Sequence, residues 1–278
     1  LAHINTEVIR LESNINILES ERQALFEQSP LDFSGSGGRQ RLSGCSLHGS
    51  HIAILLDTSA SMLELTVADV YALQNEPTIT QQASPKWRSA IKSLQWILGS
   101  LPAKVKYQVL SFNGDVESLP KGQPNSWLSS ENQSELESLS NVVSKILPMG
   151  GTNLEIGLQS LAELNPPPDS VWLITDGLPN INPNKSASNK VTAREREKFF
   201  LKATKALPSN VSLNTVLMPF EGDAEAAPYF WNWSMENRGC FIAPERNWGL
   251  AEKSLDYTFS LNAERSTLGS SWPIPSDV

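Results

Sequence analysis

The chain has 278 residues, 40% hydrophobic and 19% charged, which leaves room for one globular α/β domain of about 200 residues with extensions, or for two small domains. Its 22 basic and 30 acidic residues leave a formal charge of −8, which argues against the clustered Lys and Arg of a nucleic-acid surface. No apolar run approaches the roughly 20 residues of a membrane span. No signal sequence is visible, and because the chain begins at Leu1 rather than Met the expectation is a fragment, with any signal or anchor upstream.

Residues 1–28 predict a coiled-coil helix: Leu1, Ile4, Val8, Leu11, Ile15, Leu18, Arg22 and Leu25 recur in steps of three and four. Val8 and Ile15 at one seam position, with Leu11, Leu18 and Leu25 at the other, favour a parallel pair. Glu7 and Glu12 would repel across a homodimer, and Arg22 weakens the last turn. Weak self-association, a different partner chain and docking on the protein's own domain all stay open. Residues 29–50 read as a linker, flexible at Phe33-Ser34-Gly35-Ser36-Gly37-Gly38, with a short strand within Arg39 to Leu47 turning through His48-Gly49.

The segment His51 to Leu56 is a strand apolar on both faces, as in a parallel sheet covered on both sides. From Met62 to Ser84 runs a long insert containing Leu63, Leu65, Val67, Val70, Tyr71 and Leu73, with a helical turn expected around Thr66 to Gln74. Lys86 to Leu98 is a helix: Ser84 can cap it, Pro85 fits its first turn, and Trp87, Ile91, Leu94 and Leu98 share one face. Val105 to Phe112 is a strand, and Glu131 to Leu147 and Leu154 to Leu164 are helical, the second stopped by Pro166-Pro167-Pro168. A strand at Val171 to Thr175, a helix at Thr192 to Leu207 and a strand at Val211 to Met218 follow. A helix at Ala226 to Asn237 and a short strand at Cys240 to Ala243 end the series. This alternation predicts an α/β fold, a doubly wound and mostly parallel sheet with helices on both faces, over 51–245, with an extension at 246–278.

Three loops carry the chemistry. Asp57-Thr58-Ser59-Ala60-Ser61 ends the first strand, Gly150-Gly151-Thr152-Asn153 opens a helix, and Thr175-Asp176-Gly177 ends the strand Val171-Trp172-Leu173-Ile174. Carboxylates and hydroxyls are hard oxygen donors suited to a small divalent cation. In doubly wound sheets ligands bind beyond the carboxyl ends of the strands, where Asp57 and Asp176 fall. The set resembles the metal-ion-dependent adhesion site of the von Willebrand factor A-type domain. Asp57, Ser59 and Ser61 match its first loop, Thr152 its second and Asp176 its third.

The resemblance implies a Mg²⁺ site, with Mn²⁺ or Ca²⁺ as alternatives, whose open position takes an Asp or Glu from a protein partner. Asp115, Asn153 and Asn180 follow loop starts on the same face and are candidates for the rim of that partner site. In most such domains a helix follows the first loop almost at once, so the insert after Met62 is expected either to border the metal face or to pack as an extended first helix. Some extracellular members tie their ends by a disulfide, which would here join Cys45 to Cys240; two free thiols are the simpler expectation.

Catalysis is not expected. No Gly-x-Ser-x-Gly elbow occurs, and Ser59 stands where a haloacid-dehalogenase-type phosphatase has its second acid. His3, His48 and His51 lack zinc-ligand spacing and leave few candidates for a general base. The expected function is metal-dependent protein binding, as an adhesion, receptor or scaffold module. The alternative is an adaptor subunit of an intracellular machine such as an AAA+ ATPase complex. The order of coiled coil, then A-type domain, resembles bacterial membrane-anchored proteins and suggests a periplasmic or surface location. Sedimentation should show weak self-association that disappears when Leu11 and Leu18 become Asp; a strict monomer at high concentration would contradict the coiled coil.

Overall fold

The computed structural model describes residues 41–42, 45–120, 126–181 and 191–244, together with Arg10. Apart from Arg10, the predicted coiled coil at 1–28 lies outside the described residues, as do residues 29–40 and the extension at 246–278. A short antiparallel hairpin, β1 (Arg41–Leu42) and β2 (Cys45–Ser46), leads into β3 (His51–Asp57), the central strand. Residues Ile52 to Leu56 are all fully buried, as a strand covered on both faces requires.

On one side β3 pairs in parallel with β4 (Lys106–Phe112), whose outer edge carries β5 (Val116–Leu119) and β6 (Leu128–Ser129), both antiparallel. On the other side come β7 (Ser170–Thr175), β8 (Ser212–Leu217) and β9 (Phe241–Ile242), all parallel. The order β5-β4-β3-β7-β8-β9, with β6 beside β4, makes a seven-stranded, mostly parallel sheet.

Alternation along the strands divides the core. Ile52, Ile54 and Leu56 face Trp87 and Leu94 of α3 (Pro85–Gly99) and Leu139 of α4 (Gln133–Val143). Ala53 and Leu55 belong to the opposite core, with Leu158 of α5 (Leu154–Gln159), Phe200 of α6 (Ala193–Ala203) and Phe230 of α7 (Ala226–Glu236). Helices therefore cover both faces, as predicted. The cap of α3 also follows its sequence: the Ser84 hydroxyl accepts from the Trp87 amide at 3.4 Å, with Pro85 in the first turn.

The insert folds as two short helices, α1 (Val67–Gln74), capped by Thr66, and α2 (Thr78–Gln82). It stands at the carboxyl ends of the strands, because the Leu65 carbonyl accepts from the Glu221 amide at 2.7 Å, just past β8. At its far end Gln82 donates to the Lys145 carbonyl at 2.9 Å, on the approach to the second loop. Only its first half was foreseen as helical; α2, β5 and β6 are too short to leave a periodic signal. The predicted helices at 154–164 and 192–207 each end as a 3-10 turn, at Ser160–Glu163 and Thr204–Ala206. Among the described residues no helix is long and apolar enough to cross a membrane.

The expectation of two free thiols is corrected by the fold. Cys240 directly precedes β9, beside β8, and its Cα lies 5.5 Å from that of Cys45, with which it forms a disulfide. The hairpin ahead of β3 is thereby tied to the far edge of the sheet, across a separation of 195 residues. Nothing in the sequence alone gives that approach, because it depends on β9 pairing with β8. Replacing both cysteines by Ser should lower stability by about 3–5 kcal/mol, read as a lower urea midpoint than the oxidised protein; equal midpoints would show that the bridge adds nothing.

Candidate functional site

Asp57 is the last residue of β3, and Asp176 directly follows β7, its parallel neighbour. The first loop turns back on its own carboxylate: Asp57 Oδ1 accepts from the Ser59 amide at 2.9 Å. Its Oδ2 accepts from the Thr175 hydroxyl at 2.6 Å. The Ser59 and Ser61 hydroxyls lie 3.1 Å apart, and Ser61 donates to Asp176 Oδ1 at 2.9 Å. Four of the five predicted metal-site residues are thus linked through direct contacts.

Thr152, the fifth, is delivered by the backbone. The Ala60 amide donates to the Gly150 carbonyl at 3.0 Å, and the Met149 amide donates to the Thr58 carbonyl at 2.9 Å. Gly150 has φ +72°, a conformation that favours glycine. Asn180 holds the loop from the other side, accepting from the Thr152 amide at 2.8 Å through its side chain. The third loop is clamped from behind. Asp223 Oδ2 accepts from the Leu178 amide at 2.7 Å and pairs with Arg196 at 2.6 Å. A Cβ on Gly177 would stand 2.6 Å from that same oxygen, so the loop has no room for a side chain there.

The rim candidates divide. Asp115 is exposed on the β4–β5 turn. Asn180 is exposed but fixes the second loop. Asn153 is 4% exposed and caps α5, accepting from the Ile156 amide at 3.5 Å, so it lies beneath the surface that a partner would touch.

The charges do not balance among these residues alone. Asp57 is fully buried, and its pKa is pushed up from 3.8 to about 7, first by burial and second by the charge of Asp176. The cation that answers Asp176 is Lys86, in the first turn of α3, which the sequence pattern shows only as a helix residue. Its ammonium pairs with Asp176 Oδ2 at 2.7 Å, both side chains being buried. It also donates to the Ser61 carbonyl at 2.8 Å and the Glu64 carbonyl at 3.0 Å, and stands 4.6 Å from the centre of the Phe220 ring. Burial pulls the Lys86 pKa down, while Asp176 opposes that shift. One sequence signal was available: a lysine at a helix N-terminus opposes the helix dipole and needs a reason to be there.

The residues present could hold a small divalent cation. The donors linked by direct contact are oxygens only, the Asp57 and Asp176 carboxyls and the Ser59 and Ser61 hydroxyls, with the backbone of the Thr152 loop bonded beside them. No group of three or more His, Cys, Asp or Glu forms a metal cluster among the described residues, so the hydroxyls would have to complete the shell.

Residues 79–225 match the model of the von Willebrand factor type A domain. The chain belongs to this family. Its match begins inside the insert and takes in the second and third loops, while the first loop precedes it. Von Willebrand factor A domains commonly serve as protein-interaction modules. No curated protein matches the chain in sequence.

Solved structures with similar folds include a von Willebrand factor type A protein from Catenulispora acidiphila, 15% identical, with a TM-score of 0.49, covering 72% of this chain and 40% of that one. The pilus adhesin SpaC from Lactobacillus rhamnosus GG is 14% identical, with a TM-score of 0.39, covering 67% and 27%. The ArnB paralog VWA2 from Sulfolobus acidocaldarius is 16% identical, with a TM-score of 0.33, covering 71% and 42%. The chain spans less than half the length of each of these three.

The Asp57 shift gives a signed pH dependence. Its folded pKa lies above the unfolded value, so its stabilising contribution is full below 3.8 and is lost as pH rises through about 7. In metal chelator, the stability difference between Asp57→Asn and the wild type should therefore move in favour of the variant across that interval. Urea midpoints whose difference is constant with pH would contradict this.

Proposed function

We propose that this von Willebrand factor A domain is a divalent-cation-dependent protein-binding module. Asp57, Ser59, Ser61, Thr152 and Asp176 would hold Mg²⁺, with Mn²⁺ or Ca²⁺ as alternatives, and leave a position for an Asp or Glu of a partner protein. The supporting observation is the contact of Ser61 with Asp176 at 2.9 Å, which joins the first and third loops, from adjacent strands, at one point. When bound, the ion would supply the electrophile that a partner's carboxylate seeks; the chain's own loops position its donors.

The surroundings favour a polypeptide ligand. On α1 of the insert, Val67 and Tyr71 are 55% and 67% exposed, one helical turn apart. Met149, bonded to the first loop through Thr58, is 54% exposed. An acidic residue carried among apolar neighbours would meet both the ion and these side chains. The insert, bordering the site from Leu65 to Gln82, would then help to choose the ligand.

We read the site as one that binds and does not turn over. His48 and His51 lie at the amino end of β3, the opposite end from Asp57, so neither reaches the loops as a base. The Cys45–Cys240 disulfide favours an oxidising compartment, periplasmic or extracellular, over the interior where an ATPase adaptor would work.

Ser61→Ala is the cleaner test of the ion, because removing Asp176 would strand the buried Lys86 ammonium. Saturating Mg²⁺ should raise wild-type stability by mass action, by about 2.7 kcal/mol at a hundred times its Kd, and Ser61→Ala should lose most of that gain. Calorimetry that finds no Mg²⁺ or Mn²⁺ binding to the folded wild type would defeat the proposal.

A further inference from the structure

Lys86 asks for its own explanation. All three of its N–H donors are used, on the Ser61 and Glu64 carbonyls and on Asp176 Oδ2. It is fully buried at the start of α3, where the helix dipole disfavours a cation. Packing alone would be met by a methionine. The charge therefore answers the carboxylates around it, Asp176 in direct contact and Asp57 and Glu64 at longer range.

We propose that Lys86 is a built-in counter-cation of the site. It keeps the loops assembled without a divalent ion, and it weakens the hold on that ion so that the ion stays electrophilic toward a partner's carboxylate. The second half of this statement rests on the cation-binding reading above; the first half does not.

The first half follows from geometry. One ammonium joins the first loop, through Ser61, to the third, through Asp176, and reaches the start of the insert through Glu64. Without it, Asp176 and Asp57 would face each other buried and uncompensated, a cost that grows as water is excluded. With it, the loops hold their positions whether or not an ion is present.

The second half follows from charge. The Asp176, Asp57 and Glu64 carboxylates all act on the Lys86 ammonium. Replacing that ammonium by a neutral side chain makes the site one unit more negative, so a divalent ion would be held more tightly and the loaded site would pull less on a second carboxylate. Lys86 thus trades ion affinity for ligand affinity.

Three proteins test this: the wild type, Lys86→Met, and Lys86→Met combined with Asp176→Asn, which removes the opposing charge as well. In EDTA, Lys86→Met should melt well below the wild type, and the double variant should recover much of the loss. In Mg²⁺ and Mn²⁺ titrations by calorimetry, Lys86→Met should bind at least tenfold more tightly than the wild type, a change that a packing role would not produce. If Lys86→Met is too unstable in EDTA to fold, its rescue by Mg²⁺ together with folding of the double variant carries the same conclusion.

The proposal is overturned if Lys86→Met is as stable as the wild type in EDTA, if the double variant is no more stable than the single one, or if the ion binds Lys86→Met equally or more weakly. Should neither wild type nor Lys86→Met bind a divalent ion, the cation-binding reading fails with the affinity half of the proposal. The EDTA melts then decide the counter-cation role alone.

Discussion

The parallel pairing of β3 with β7, in the register Leu56↔Ile174, is the constraint on which the site depends. It puts the end of one strand beside the end of the next, so that Thr175 bonds Asp57 and Ser61 bonds Asp176 across the same junction. The crossovers from these strands leave to opposite faces, α3 to one and α6 to the other, which opens a crevice between the loops. A slip of one residue would exchange the side chains of β3 between the two cores and part the two carboxylates. Because β3 is apolar on both faces, its pattern alone does not select the register; the fit of its side chains in the two cores and the bonds between the loops do.

What the loops then hold is a charge problem. Asp57 and Asp176 sit close together with little water, a grouping that costs free energy unless a cation shares the space. Lys86 supplies one such cation from the chain itself, on the α3 side, through Asp176 Oδ2. The other Asp176 oxygen is held by Ser61, and Asp57 is held by Thr175 and the Ser59 amide. Farther out, Arg196 and Asp223 form a second ion pair that fixes the backbone after Gly177. The site is thus supported from α3 and α6, while its mouth is bordered by the insert.

Much of this was legible in the sequence. The continuous apolar run Ile52 to Leu56 gave away a buried parallel strand, and Ser84-Pro85 marked the start of α3 within a residue. The loop residues could be picked out because each follows a strand or opens a helix. Lys86 could not be read this way: its partners lie at Ser61, Glu64 and Asp176, and only the folded sheet brings the last of these within reach. The Cys45–Cys240 bridge stood only as the alternative to two free thiols for the same reason, since its approach depends on β9 joining the far edge. Asn153 was misplaced on the rim because the sequence shows a polar residue after a loop start, not that its side chain turns inward to cap a helix.

The central claim is that a divalent ion is held where the three loops meet. Anomalous diffraction from crystals grown with Mn²⁺ tests it most directly, since it locates the ion without reference to affinity or partner. The account predicts one strong peak within coordination distance of the Ser59 and Ser61 hydroxyls, between the Asp57 and Asp176 loops, with Lys86 still on the far oxygen of Asp176. Ordered loops with no peak there, or a peak only elsewhere on the surface, would contradict it.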